Sequence, residues 1–213
     1  MYRTIISIIV PTKNSGKVVK RLVISLKSQV FQNWRVIFVD GSDKNEEIKL
    51  LKDFSRLDSR FEIVYEDKNK KGIYQAMNKG IKFIKKNEWV IFLGSDDWLS
   101  SPFALHKLHF QLNIEENYFI DMFIYKTKYV KPFSLKTSRF NNLPNHLFIN
   151  KSQYYNLIFK GYSPIHQSVC FSGDLINKLA PYNINFYLAA DLELFFRIFC
   201  LKEVNIKFIH SNF

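Results

Sequence analysis

Apolar positions fall in two rhythms over the first hundred residues. Nearly unbroken runs at 5–10 (IISIIV), 34–39 (WRVIFV), 61–65 (FEIVY) and 89–93 (WVIFL) alternate with stretches of helical spacing. Val18, Val19, Leu22, Val23 and Leu26 recur every three or four positions. So do Ile48, Leu51, Phe54 and Leu57, and then Ile73, Ala76, Met77, Gly80, Ile81 and Ile84. The compact runs predict strands and the spaced sets predict helices. The strand runs scarcely alternate with polar residues, which is the pattern of strands buried on both faces. Strand–helix–strand in this order predicts βαβ units and a largely parallel sheet with helices on both sides, an α/β fold.

After Pro102 the rhythm changes. The spacing predicts a helix over 103–114, a strand over 119–125, a short helix over 152–159, a strand over 169–171, a mostly buried helix over 191–201 and a last strand over 204–209. Residues 131–150 have no clean period and read as a long ordered loop. No repeat, low-complexity tract or linker interrupts the chain. Residues 102–213 therefore read as an elaboration packed on residues 1–101 within a single domain.

The 213 residues are 47% apolar and 16% aromatic, enough to fill a core and too aromatic for a disordered chain. Two cysteines, Cys170 and Cys200, exclude a disulfide scaffold or a cysteine-based metal site and read as core thiols. No apolar run reaches the roughly 18 residues that span a bilayer, and no signal-peptide pattern opens the chain. The expected location is the reducing cytoplasm. The net charge of +12 favours anionic partners: nucleic acid, lipid head groups or phosphorylated small molecules. A basic nucleic-acid-binding module without catalysis is the alternative that this charge raises. Aromatics over 118–133 lie among Lys126, Lys128 and Lys131 and suit either core packing or contact with anionic lipid.

Three polar clusters directly follow strand runs: Pro11-Thr12-Lys13-Asn14, Asp40-Gly41-Ser42-Asp43 and Gly94-Ser95-Asp96-Asp97. In an open parallel sheet the carboxyl ends of the strands share one edge, and ligands bind there. Each cluster also suits an ordinary turn or helix cap. Adjacent carboxylates such as Asp96 and Asp97 repel, however, and a divalent cation relieves that repulsion with hard oxygen ligands.

The segments VPTKNSGKVVKRLVISLKSQVFQNWRVIFVDGS, GIYQAMNKGI and WVIFLGSDDWLS together resemble the family 2 glycosyltransferases, inverting enzymes of the GT-A fold common in bacterial capsule and lipopolysaccharide assembly. The resemblance covers residues 4–101 and resumes at HQSVCFSGDLI (166–176) and AADLELFFRI (189–198). It implies a nucleotide-sugar-binding half over 1–101 and an acceptor-side half over 102–213. It assigns Pro11, Thr12 and Asn14 to the loop along the nucleotide and Asp40 to the base. Lys71, Gly72 and Asn78 would frame the donor pocket, with Lys71 near phosphate. Ser95-Asp96-Asp97 match the family's DXD-type motif, whose carboxylates hold Mg²⁺ or Mn²⁺ on the diphosphate. Asp191 matches the catalytic base, although it also suits a helix N-cap; Glu193 would point away on the same helix and Asp174 would cap another. His166 and Gln167 match a segment that can face the diphosphate or the acceptor, and a buried structural histidine is the other reading of His166. The implied partners are a UDP-sugar donor and a glycan or lipid-linked glycan acceptor, with no nucleic acid. The implied location extends to the inner face of the cell membrane. The segment departs from the family at Gln75, where an Asp is common, and many relatives continue beyond Phe213.

Overall fold

The computed structural model describes residues 4–67, 69, 72–113, 120–126, 148–149, 151–160 and 164–212. Within them the apolar runs become β1 (Ile5–Thr12), β2 (Trp34–Asp40), β3 (Phe61–Tyr65) and β4 (Glu88–Phe92). The spaced sets become α1 (Gly16–Lys27), α2 (Asn45–Leu57) and α3 (Ile73–Ile81). The second half adds α4 (Ala104–Leu112), β5 (Met122–Lys126), β6 (Phe148–Ile149), α5 (Lys151–Phe159), β7 (Val169–Ser172), α6 (Gly173–Leu179), α7 (Ala190–Cys200) and β8 (Ile206–Asn212).

All eight strands join one sheet in the order β3-β2-β1-β4-β7-β5-β8-β6. The first four are mutually parallel. β7 lies antiparallel between β4 and β5, β8 runs parallel to β5, and β6 closes the edge antiparallel. The later strands thus extend the sheet begun by the first half.

Successive side chains on a strand point to opposite faces, and both faces are covered here. Ile9, Ile37, Val39, Val90 and Phe92 pack with Ala76 and Met77 of α3 and Leu194, Phe195 and Ile198 of α7. Ile6, Ile8, Val10, Val36, Phe38 and Ile91 pack on the other side with Val19 and Leu22 of α1 and Leu105 and Leu108 of α4. Gly80 lets α3 settle on β1, since a Cβ there would lie 2.6 Å from Ile9 Cγ2. At the amino ends of the strands Arg35 ties four of them together. It donates to Ser7 Oγ (3.0 Å), Glu62 Oε1 (3.0 Å) and the buried Glu88 Oε2 (2.9 Å).

Several expectations need correction. α3 ends at Ile81, and the still-buried Ile84 follows in a turn. Cys170 is buried, and burial pushes its thiol up, but Cys200 is exposed. The side chain that caps α6 is Ser172, which accepts the Leu175 N–H; Asp174 sits in the first turn. Of the aromatic stretch at 118–133, Phe123 and Tyr125 are core residues of β5, while 118, 119 and 127–133 lie outside the described residues, as does most of the expected loop at 131–150. Among the described residues no helix is long and apolar enough to cross a membrane.

Candidate active site

The chain leaves β1 through α1 toward β2 and β3, and α3 then carries it back to β4 on the other side of β1. Strand order reverses between β1 and β4, the place where open α/β sheets form a crevice. A cleft of about 440 Å³ opens there, lined by Pro11, Thr12, Lys13, Glu66, Gly72, Ile73, Ser95 and Tyr187.

Asp40 ends β2 in register with Thr12 at the end of β1 and is buried. Its Oδ1 accepts from Thr12 Oγ1 (3.1 Å), Ser42 Oγ (2.6 Å) and the Ser42 N–H (3.2 Å). Its Oδ2 is buried with no partner. Native proteins seldom leave a buried acceptor unpaired, because its desolvation goes uncompensated. The next residues stitch the two strand ends together. The Asn14 N–H donates to Ser42 Oγ (2.9 Å), and Asn14 Oδ1 accepts the Asp43 N–H (3.3 Å). Asn14 adopts φ 51°, the left-handed region that asparagine tolerates better than most residues.

Beyond β4 the chain turns sharply, with the Asp97 N–H donating to Gly94 O (3.1 Å) and the Gly94 N–H to Asp97 Oδ2 (2.6 Å). Both carboxylates fold over Gly94, where a Cβ would lie 2.7 Å from Asp96 Oδ1 and 3.0 Å from Asp97 Oδ2. Burial pushes the Asp97 carboxyl up, and the Asp96 carboxylate adds to that. The Gly94 N–H, the Gln167 side chain and Arg21 pull it back. Arg21 reaches across from α1, donates to Asp96 O (2.8 Å) and stacks over Trp98 at 3.5 Å. Two converging hard-oxygen donors, one held above its ordinary value by burial and repulsion, fit a divalent cation. Among the described residues no third His, Cys, Asp or Glu joins them, so a cation here would draw its other ligands from phosphate and water.

Asp191 lies in the first turn of α7, half-buried. It is not the cap, a position held by Ala189. Its Oδ1 accepts the Tyr74 hydroxyl (3.0 Å) and the Leu192 N–H (2.9 Å). Burial and the Asp191 charge push the Tyr74 phenol up to about 12. Glu193 instead pairs with Arg197 (2.8 Å), one turn along the helix. Behind Tyr74 its ring stacks on Tyr182 at 5.7 Å, and the Tyr182 hydroxyl meets His166 Nε2 at 2.6 Å.

That arrangement separates the two readings of His166 and shows how Asn78 is used. His166 is buried among Phe92, Phe171 and Phe195, and burial lowers its imidazole to about 4. It is a neutral structural histidine. Its neighbour Gln167 bonds the Asp97 carboxylate. Asn78 spends both ends of its amide on Tyr182, donating to O (3.0 Å) and accepting the N–H (2.6 Å). It frames the pocket by fixing that backbone. Gly72 borders the cleft with φ 122°, a left-handed conformation that a side chain would strain. Lys71 lies outside the described residues.

Sequence reasoning gave no role to Tyr74, Glu66, Arg21 or Tyr187. Only Tyr74 carried a signal, as a lone phenol inside the quoted GIYQAMNKGI segment. Glu66 lies over Gly41, where a Cβ would meet Glu66 Oε2 at 2.1 Å. Beside the main cleft, sharing Gly72, Ile73 and Tyr187 with it, is a second pocket of about 320 Å³ lined also by Tyr74, Gln75, Ile184 and Leu188.

The family described as Glycosyl transferase family 2 matches residues 7–170. A PGL/p-HBAD biosynthesis glycosyltransferase of Mycobacterium bovis is 25% identical over 205 residues, which are 96% of this chain and 73% of the relative. The fold is similar to that of S. aureus TarS 1-349, with a TM-score of 0.77 at 18% identity over 96% of this chain. This chain spans 60% of the length of that TarS structure, so it matches a part of a longer protein. The same TarS segment has been solved in complex with UDP-GlcNAc, with a TM-score of 0.75, 18% identity and coverage of 97% of this chain and 58% of that one. The mannosyltransferase PcManGT of Pyrobaculum calidifontis, in complex with GDP-Man and Mn²⁺, matches with a TM-score of 0.63 and 12% identity over 97% of this chain and 54% of its own.

Proposed function

Because this chain belongs to glycosyl transferase family 2 and has a GT-A-type fold, we propose that it moves a sugar from a nucleoside-diphosphate donor to a hydroxyl of a glycan or lipid-linked glycan, inverting the anomeric carbon. Residues 1–101 carry the donor side and residues 102–213 the acceptor side. UDP-sugars are the leading donors, since TarS is similar to this chain and binds UDP-GlcNAc. The observation that carries the reading is Asp40: it has a buried carboxylate oxygen without a partner directly behind Thr12, a residue of the cleft wall that it bonds, and that oxygen suits an N–H of a nucleobase. Pro11 and Thr12 line the same wall, Asn14 follows them in the loop tied to Ser42 and Asp43, and Gly72 and Ser95 bound the sugar–diphosphate end.

Asp96 and Asp97 would hold a divalent cation, as PcManGT is bound with Mn²⁺. When bound it supplies positive charge to the departing diphosphate. The acceptor oxygen attacks the anomeric carbon as the carbon–oxygen bond to diphosphate breaks, and that electron pair leaves with the diphosphate. Asp191 takes the acceptor proton. Both of its described hydrogen bonds fall on Oδ1, which fixes the carboxylate and leaves Oδ2 to the acceptor. Attack opposite the leaving group inverts the configuration. The net charge of +12 suits a diphosphate donor and an anionic membrane surface, and capsule or lipopolysaccharide assembly is the setting we favour.

A thermal-shift panel of UDP, GDP and their sugars, with and without Mn²⁺, tests this. A ligand at 100 times its dissociation constant stabilises by about 2.7 kcal/mol, a rise of about 5–11 °C for a domain of this size. No shift with any nucleotide would sink the reading. Proton NMR of the product would reveal its anomeric configuration, and retention would refute the one-step displacement.

A further inference from the structure

The pocket beside Asp191 has an unusual wall. Ile73, Ile184, Tyr187 and Leu188 border it and are 54%, 47%, 80% and 86% exposed. Single exposed apolar residues are ordinary on soluble proteins, but clusters around a concavity mark binding sites. The backbone on either side of Ile184, Tyr187 and Leu188 is tethered. Asn78 clamps Tyr182, and Arg197 donates to Leu179 O and Pro181 O. The Phe186 N–H donates to Asn183 O (3.1 Å) and the Ala189 N–H to Phe186 O (3.1 Å). Ordered turns therefore present bare apolar surface to solvent.

Among the described residues the lining contains no charged side chain, in a chain with a net charge of +12. Its polar groups are the Gln75 amide and the tyrosine hydroxyls. Among those described residues a diphosphate or an acidic sugar meets no counter-charge, and a free saccharide would find few partners for its hydroxyls. About 320 Å³ is at the small-ligand end of the range for binding pockets. The position is equally specific. Tyr74 belongs to the wall and bonds Asp191, while Gly72, Ile73 and Tyr187 are shared with the nucleotide cleft. A molecule in the pocket has one end at the base and donor.

We propose that this pocket holds an apolar aglycone of the acceptor, an aromatic ring or short alkyl chain next to the hydroxyl that is glycosylated. The proposal rests on the reading of Asp191 as the base, and it narrows the acceptor from glycans in general to aryl or alkyl glycosides and alcohols.

The test compares p-nitrophenyl and n-octyl glycosides with the corresponding free sugars, as acceptors and by ligand-observed NMR binding. The apolar glycosides should bind about 10–100-fold more tightly, the contribution of one well-buried apolar group. Ile184→Ser and Leu188→Ser, both exposed positions, should erase that preference while nucleotide stabilisation persists as a check on folding. Free sugars binding as well as the glycosides, or a preference that survives both substitutions, would overturn the proposal. So would variants that lose affinity for phosphatidylglycerol vesicles with acceptor preference intact, because the surface would then be a membrane contact. If the protein transfers no sugar from any donor, the parent reading fails, and NMR binding of p-nitrophenyl glycoside alone still decides the pocket: binding lost in Leu188→Ser supports it, and no binding refutes it.

Discussion

Asp97→Asn should stabilise the protein without ligand and abolish its cation-dependent response to nucleotide. Asp96 Oδ1 and Asp97 Oδ2 both lie within 3.0 Å of one point above Gly94, so they are less than about 6 Å apart. Unit charges at that distance repel by about 0.7 kcal/mol in water and about 3 kcal/mol at an effective dielectric of 20. Asp97 is half-buried and Asp96 exposed, which puts the cost near 1 kcal/mol. Asparagine keeps the contacts: its oxygen accepts the Gly94 N–H, and its amino group can donate to a flipped Gln167. The melting temperature at neutral pH should rise by about 2–4 °C. The sign follows from linkage. A carboxyl held above its ordinary value binds its proton more readily when folded, so wild-type stability falls as pH rises through that range. The gain in the variant should therefore appear above the usual carboxylate range and vanish near pH 3. Differential scanning calorimetry across pH, with and without UDP and Mn²⁺, reads both halves. Destabilisation at neutral pH, an equal gain at pH 3, or an intact Mn²⁺-dependent shift would refute the reasoning.

Asp191→Asn should retain the Tyr74 and Leu192 contacts on its oxygen and still fail as a base. Turnover should drop by about 10²–10⁴ with nucleotide stabilisation nearly unchanged; loss of nucleotide binding would put Asp191 in the donor site instead. His166, lowered to about 4 by burial, should cost stability on acidification. Below an unfolded value near 6.5 the unfolded chain binds the proton that the folded chain refuses, so about 3 kcal/mol is lost between pH 6.5 and 4. His166→Gln should flatten that slope in urea melts, and an unchanged slope would show that another group carries it.

Much of the candidate cleft was legible because strand ends mark themselves. Asp40, Ser95, Asp96 and Asp97 directly follow apolar runs, and a parallel sheet collects such ends on one edge. The order of the later strands was not legible. β7 inserts between β4 and β5 through pairing of residues some eighty positions apart, and local periodicity holds no record of long-range partners. The sequence left His166 open between two readings and did not show how Asn78 acts, for a related reason: an imidazole or amide has the same spelling whether it faces a cleft or a buried tyrosine. At 184–188 Ile184, Phe186 and Leu188 alternate as a short strand would, yet the segment folds as turns, and a run this short does not distinguish the two.

The two hydrogen bonds between Asn78 and the backbone of Tyr182 join residues 104 positions apart. They run from the helix that borders the switch-point cleft to the segment that carries the apolar wall and leads into Asp191. The halves of this chain are therefore not interchangeable parts. A chimera that grafts residues 102–213 of a relative onto residues 1–101, in order to change what is glycosylated, inherits this clamp only if the incoming backbone meets Asn78 at the same place. On the proposed reading of the pocket, substitution within 184–188 should alter acceptor range more readily than exchange of halves.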